Sequence, residues 1–402
     1  MTKIRIFTGK GGVGKTSVAA ACAWNAAVKG ERVLLASTDA AHSVGDVLDR
    51  RIGPDVVRVT ERLDAVELDA DRIMEGEYGN LVRSVTSMAE GMERRRDGDG
   101  GQGVDEGHDA LPSLPGFDGL FSLLKLLDFA ESGTWDTIVV DCAPTGETLA
   151  LLKFPELFGW YVEKWLPLGK VAVRVLSPLS RTVLKVELPD KHAMSDIERL
   201  YERLVALQVL LKDPERTSVR IVALPEKMVV EETKRNYLYL NLFGYRVDGL
   251  VVNRVLPPEA QEGFFTEWAD VQRRCMDELA TVFAGVPTAR IPWYGTDICG
   301  LPGVEQLASE LPGEDVFAAA SPVEHERYER IDDGWTLELA LPLVEKDALE
   351  LFQAGSDLVV RVGVMTRCMP LPNVLAGFDV AGARLDEGVL RVTFAKGDQD
   401  ER

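Results

Sequence analysis

The stretch FTGKGGVGKTS, Phe7 to Ser17, carries one lysine before its glycines and one after, Lys10 and Lys15. Within it Gly9 to Thr16 satisfy G-x-x-x-x-G-K-[ST], the pattern of a phosphate-binding loop. Gly9, Gly11, Gly12 and Gly14, with Val13 among them, let consecutive backbone N–H groups converge on phosphate oxygens. The helix that follows adds its positive N-terminal end. Lys15 suits the outer phosphates, and the Thr16 hydroxyl is a hard oxygen ligand for Mg²⁺, with Ser17 beside it. A purely structural glycine turn is disfavoured by the strand and helix on either side. Lys10 is surplus to the pattern.

The loop needs a strand before it and a helix after it, and the sequence supplies both. KIRIFT reads as a buried strand, TSVAAACAWNAAVKG as an alanine-rich helix closed by Gly30, and RVLLAS as a second strand. A strand, crossover helix and strand imply a parallel pair with a right-handed connection. Further strands are predicted at 136–142, 219–224, 247–253 and 288–293, separated by helical patterns. The repetition predicts an α/β domain over residues 1–315, a P-loop NTPase fold with a doubly wound, mostly parallel sheet. Residues 94–116, rich in Gly, Asp and Pro, read as a mobile loop between helices. Helical segments within about 75–130 and 150–215 predict an inserted helical subdomain, with Ser195 and Glu198 as a capping box. From residue 325 to 396 the period becomes strand-like in WTLELALP, SDLVVRVG and GVLRVTF, which predicts a small β-sandwich.

Composition narrows the partners. Forty-five Lys and Arg face 65 Asp and Glu, a formal net charge of −20 that repels phosphate backbones and anionic lipid. Nucleic acid and a bare membrane surface are therefore not expected partners. Cys22, Cys142, Cys275, Cys299 and Cys368 form no C-x-x-C pair, so neither a thiolate zinc cage nor a disulfide framework is predicted. With no charged leader before the first strand and no apolar span of membrane length, the expectation is a cytoplasmic protein without direct membrane insertion.

GKGGVGKT resembles the deviant phosphate loop of the class that includes arsenite-pump ATPases, tail-anchored-protein targeting ATPases, the nitrogenase iron protein and partitioning ATPases. The resemblance implies ATP and Mg²⁺, and a homodimer in which Lys10 reaches the nucleotide held by the partner subunit, as a catalytic charge beside Lys15. STDAAHSVGDVLD, Ser37 to Asp49, resembles the first switch of the arsenite-pump and tail-anchor ATPases, and Asp39 matches the residue that positions or activates the attacking water. Ala40 stands where that family has proline, while His42 and Asp46 match. DTIVVDCAPTGETLALLKFPE, Asp136 to Glu156, resembles the second switch, with Cys142 and Glu147 replacing threonine and histidine. Asp141 closes the apolar strand there, as a carboxylate holding Mg²⁺ through water does. LPEKMVVEETKR, residues 224–235, resembles the segment whose acidic and basic helix residues flank the nucleotide. Asn253 in VVNRV matches the adenine-reading asparagine, and Pro292 in RIPW begins the base-packing loop.

The last part of the chain resembles a second family, the small heat-shock or α-crystallin sandwich, including A-x-x-x-x-G-V-L at Ala383 to Leu390. No I-x-I motif follows; a stabilising appendage and a binding role both stand open for this domain. The resemblances together imply an ATP-hydrolysing homodimer that captures or releases a hydrophobic protein segment, with a hydrophobic protein client or a membrane-protein receptor as partner. Phe154, Leu157, Phe158, Trp160, Tyr161, Trp165 and Leu166 supply the apolar density for this, although an ordinary buried helix face has the same composition. One alternative is the catalytic subunit of an arsenite or other anion pump, which is disfavoured because no cysteine lies between Cys142 and Cys275 and there is one phosphate loop. Another is a nucleotide-regulated interaction module with little turnover. Electron transfer lacks its paired cysteines, and DNA partitioning lacks a basic face.

Overall fold

A computed structural model describes residues 1–39, 43–79, 117–143, 191–318 and 325–396. Its first strand, β1 (Lys3–Thr8), ends at the glycine loop, and α1 (Lys15–Val28) leaves from it. Ala19, Ala20, Ala21, Ala23 and Ala26 are buried on α1, so the helix lies close against the strands beneath it. Then follow β2 (Val33–Ser37), α2 (Ser43–Leu48), β3 (Val57–Arg58), β4 (Leu63–Glu67), α3 (Ala70–Glu77), α4 (Phe117–Glu131) and β5 (Thr137–Asp141). The second half of the sheet is built from α5 (Lys191–Lys212), β6 (Thr217–Ala223), α6 (Lys227–Leu242), β7 (Val247–Val255), α7 (Thr266–Val282), β8 (Thr288–Pro292), α8 (Gly300–Glu310) and α9 (Glu314–Ala318).

The eight strands lie in the order β3-β4-β2-β5-β1-β6-β7-β8, all pairs parallel except β3 with β4. β2, β5 and β6 are buried at every position, as a parallel sheet covered by helices on both faces requires. The chain first builds outward from β1 through β2 and β4, then crosses to β6, β7 and β8, which makes β1 the topological switch point. Register places Phe7, Asp141, Ser37 and Glu67 in one row across β1, β5, β2 and β4. The C-terminal edge of that row is where such a sheet presents ligand-binding groups.

The six strands expected in the α/β region are present, within a residue or two of their expected ends. β3 and β4 were not expected, since VR is too short to show a period and LDAVE is only five residues long. The capping box expected at Ser195 is corrected: α5 is described from Lys191 and runs through Ser195, because the residues just before it tolerate a helix. Of the helices within or bordering the ranges expected for an insert, α3, α4 and α5 are described and pack together, with Arg203 Nη2 2.6 Å from Asp128 Oδ1 and the Tyr78 and Phe121 rings 5.0 Å apart. The loop expected at 94–116 and the apolar stripe from Phe154 to Leu166 lie outside the described residues.

Beyond the sheet, β9 (Glu326–Ile331), β10 (Gly334–Ala340), β11 (Leu349–Ala354), β12 (Asp357–Val362), β13 (Met365–Pro370), β14 (Phe378–Asp386) and β15 (Val389–Lys396) form an antiparallel sandwich. A four-stranded sheet, β14-β15-β10-β9, and a three-stranded one, β11-β12-β13, bury Leu337, Leu339, Leu358, Val360, Val392 and Phe394. The buried Arg367 of β13 joins this sandwich to α6, donating through Nη1 to Leu242 O at 2.9 Å and through Nη2 to Glu326 at 3.0 Å. No described helix is long and apolar enough to cross a membrane.

Candidate functional site

The glycine loop is seated by its neighbours as much as by its own sequence. Gly9 has φ 153°, and a Cβ there would stand 2.2 Å from Val222 O at the end of β6. Gly14 caps α1 with φ 91°, and a Cβ there would stand 2.5 Å from Asn253 Nδ2 on β7. Side chains are excluded at both positions by close backbone or amide approach as well as by conformation. Val13 is fully buried beneath the loop, whereas Gly11 and Gly12 face solvent.

The two lysines take different places. Lys15 is buried, with Nζ 3.4 Å from the Lys10 carbonyl, so its ammonium curls back over the loop. The Lys10 side chain is 38% exposed, and its ammonium lies 3.9 Å from Glu232 Oε2 on α6. Glu232 belongs to the 224–235 segment, whose Lys234 turns aside to Glu231 and to Glu278 on α7.

Thr16 and Asp141 meet although 125 residues separate them: Thr16 Oγ1 donates to Asp141 Oδ2 at 2.7 Å. Burial pushes the Asp141 carboxyl up to about 6, against the Thr16 hydroxyl and the Lys15 ammonium, which favour the charge; the Asp39 carboxylate adds to the rise. Asp141 Oδ1 is buried and has no hydrogen-bond partner among the described residues. An orphaned hard oxygen beside a hydroxyl is the donor set that suits Mg²⁺, so these residues fit that ion. The backbone N–H of Asp39 donates to Ser37 Oγ at 3.2 Å, and that of Thr38 to Asp141 O at 2.9 Å. His42, Ala40, and the second-switch residues from Pro144 to Glu156 lie outside the described residues.

Gly14, Ser17, Asn253 and Pro292 line one cavity of about 640 Å³ together with Arg254, Trp293, Tyr294 and the loop from Gly295 to Ile298. The Asn253 amide donates to Val13 O at 2.9 Å while its oxygen accepts from Arg254 N at 2.9 Å. Arg254 has φ 54°, a left-handed conformation uncommon for a side-chain-bearing residue. Sequence reasoning missed Arg254, Trp293 and Glu67. Arg254 and Trp293 directly follow Asn253 and Pro292, so adjacency was a usable signal for them, whereas Glu67 ends an unexpected strand.

Residues 2–313 match the family described as anion-transporting ATPase, and residues 332–394 match the HSP20-like domain found in ArsA. The putative arsenical pump-driving ATPase 1 of Aquifex aeolicus is 30% identical over 400 residues, spanning 96% of this chain and 98% of its own length. A putative arsenical pump-driving ATPase of Prosthecochloris vibrioformis is 31% identical, across 98% of this chain and 96% of its own. ATPase ASNA1 homolog 1 of Paramecium tetraurelia is 26% identical over 312 residues, 75% of this chain and 90% of its own.

Proposed function

The chain belongs to the anion-transporting ATPase family and is an ATPase, and on that premise we propose Mg²⁺-dependent hydrolysis by a homodimer, coupled to capture or release of a hydrophobic protein segment. The observation that carries the site reading is the orphaned Asp141 Oδ1 next to the Thr16 hydroxyl, which follows directly on the glycine loop. Gly9 to Thr16 bind the phosphates, Lys15 draws charge off the outer ones, and Ser17, Asn253 and Pro292 border the base. Thr16 and Asp141 would hold Mg²⁺, which supplies charge neutralisation between phosphates when bound. Asp39 orients water for attack on the terminal phosphate. Lys10 would leave Glu232 for the nucleotide of a second subunit, a reading supported by its partial exposure and the long 3.9 Å ion pair.

The client reading rests on the apolar density between Phe154 and Leu166 and on the tail-anchor resemblance of both switches. The names of the bacterial relatives support a second reading, an arsenical pump ATPase. Against it stand cysteines that occupy separate elements, with Cys22, Cys142 and Cys275 buried and no metal-holding group of three or more His, Cys, Asp or Glu among the described residues.

One set of assays tests this function. Wild type, Lys15→Ala and Asp39→Asn are compared for ATP affinity, turnover with and without arsenite, molar mass with ATP, and retention of a hydrophobic helical peptide. Lys15→Ala should weaken ATP binding itself, whereas Asp39→Asn should keep affinity and lower turnover about 10²-fold or more. The ATP-loaded form should have the mass of two chains and hold the peptide in one nucleotide state only. Retention in no state sinks the client reading, and arsenite stimulation would favour the pump.

A further inference from the structure

We infer that Glu67 is a positioning residue for the Asp39 carboxylate, holding the far end of the segment that carries it; this rests on the role proposed for Asp39. Glu67 ends β4, is 4% exposed, and shares the register row of Ser37 and Asp141, so the three side chains lie on the same face of the sheet. Its Oε1 accepts the Gly45 N–H of α2 at 2.9 Å. A Cβ on Gly45 would stand 2.9 Å from Arg50 O, so the missing side chain is what lets the chain close behind α2, with Glu67 Oε1 in ordinary contact at 3.6 Å. On the near side of the segment, the Asp39 N–H is held by Ser37 Oγ, and Leu68 N–H ties the end of β4 to Ser37 O at 2.9 Å.

The segment is therefore fastened at both ends to neighbouring positions of one sheet row, by Ser37 before Asp39 and by Glu67 after it. A bond from a backbone amide to a buried carboxylate resists displacement more than one to a neutral acceptor. Loss of that anchor lets α2 shift and broadens the positions open to Asp39. The phosphate loop and base cavity are built from other residues, so the loss falls on kcat rather than on nucleotide affinity.

The test compares wild type, Glu67→Ala, Glu67→Gln, Asp39→Asn and the Glu67→Ala/Asp39→Asn double variant of the full chain in single-turnover and steady-state ATP hydrolysis, with melting temperature and ATP affinity alongside. Glu67→Ala should lower kcat about 10- to 100-fold with ATP affinity changed by no more than about threefold. Glu67→Gln, which keeps an oxygen for Gly45, should retain more activity. On the Asp39→Asn background Glu67→Ala should add no further loss, since it acts through that residue. Wild-type kcat in Glu67→Ala, equal impairment of the alanine and glutamine variants, or a full further loss in the double variant would each overturn the inference. If Glu67→Ala does not fold, Glu67→Asp, which withdraws the carboxylate, replaces it under the same expectations. Normal turnover in Asp39→Asn would overturn the Asp39 assignment as well, whereas impaired Asp39→Asn beside unimpaired Glu67→Ala overturns this inference alone.

Discussion

Asp141 is fully buried, its Oδ2 bonded to Thr16 and its Oδ1 orphaned among the described residues. Without a cation beside it, its charge costs folding free energy. Burial raises its folded-state pKa from 3.8 to about 6, so the fold prefers the neutral acid. The unfavourable contribution is absent below about pH 4, grows as pH rises toward 6, and is complete at neutrality, at most about 3 kcal/mol. Asp141→Asn should therefore melt above wild type at pH 8 without nucleotide, with the gap closing as pH falls to about 4. Scanning calorimetry across that range checks it, and a lower melting temperature at pH 8 would contradict the account.

Helix α9, with five residues, has no intrinsic stability and is held by tertiary contacts. The buried Arg220 of β6 reaches both Glu314 oxygens at 2.7 Å and Asp248 Oδ1 at 3.1 Å, with its guanidinium 4.0 Å over the Phe317 ring. Gly249 makes room for that ring, since a Cβ there would stand 2.6 Å from it. Burial alone would raise the Glu314 carboxyl, but Arg220, aided by Arg5, holds it down to about 2. Its folded value lies below the ordinary 4.5, so the stabilisation is present above about pH 4.5 and is lost as pH falls toward 2. Glu314→Gln should cost about 1.5–3 kcal/mol at pH 7 in urea unfolding, and the difference from wild type should shrink by pH 3. A constant difference across that range would mean that Glu314 acts by packing, not by charge.

For the whole molecule, the contact between the sandwich and α6 includes buried polar groups, some of them unsatisfied among the described residues. Arg367 bonds the last turn of α6, and half-buried His325 at the junction has buried ring nitrogens, neither of them partnered among the described residues. Burial, with the charges of Arg367 and Lys212, pulls His325 down to about 4; Glu326 and Tyr328 follow it on β9. Its folded value lies below 6.5, so the docking stability is whole above about pH 6.5 and falls as pH drops to 4. Protection factors from hydrogen exchange, corrected for the intrinsic pH dependence of the amide rate, should fall at the end of α6 and in β9 over that interval in wild type and remain level in His325→Leu. Identical profiles for both would show that His325 does not govern the junction. α6 also presents Glu232 to Lys10, so the helix that receives the sandwich borders the phosphate loop.

A phosphate loop is legible because its chemistry is contiguous: Gly9 to Thr16 supply N–H groups, ammonium and hydroxyl from one run of chain. Apolar strands alternating with helices likewise announced the parallel sheet, since strands buried on both faces leave an unbroken hydrophobic record. Contacts that depend on strand order left no local mark. Asp141 reaches Thr16 because β5 lies beside β1, and Asn253 reaches Val13 across 240 residues because β6 and β7 build on the opposite side. Glu67 was hidden for the same reason, its strand being too short to show a period and its partner Gly45 meaningful only once α2 lies over β4. The sequence by itself determined which groups carry the pattern of a phosphate loop. Tertiary structure decided which distant carboxylates stand beside them, because sheet order, set by the packing of the whole core, has no signature in any single segment.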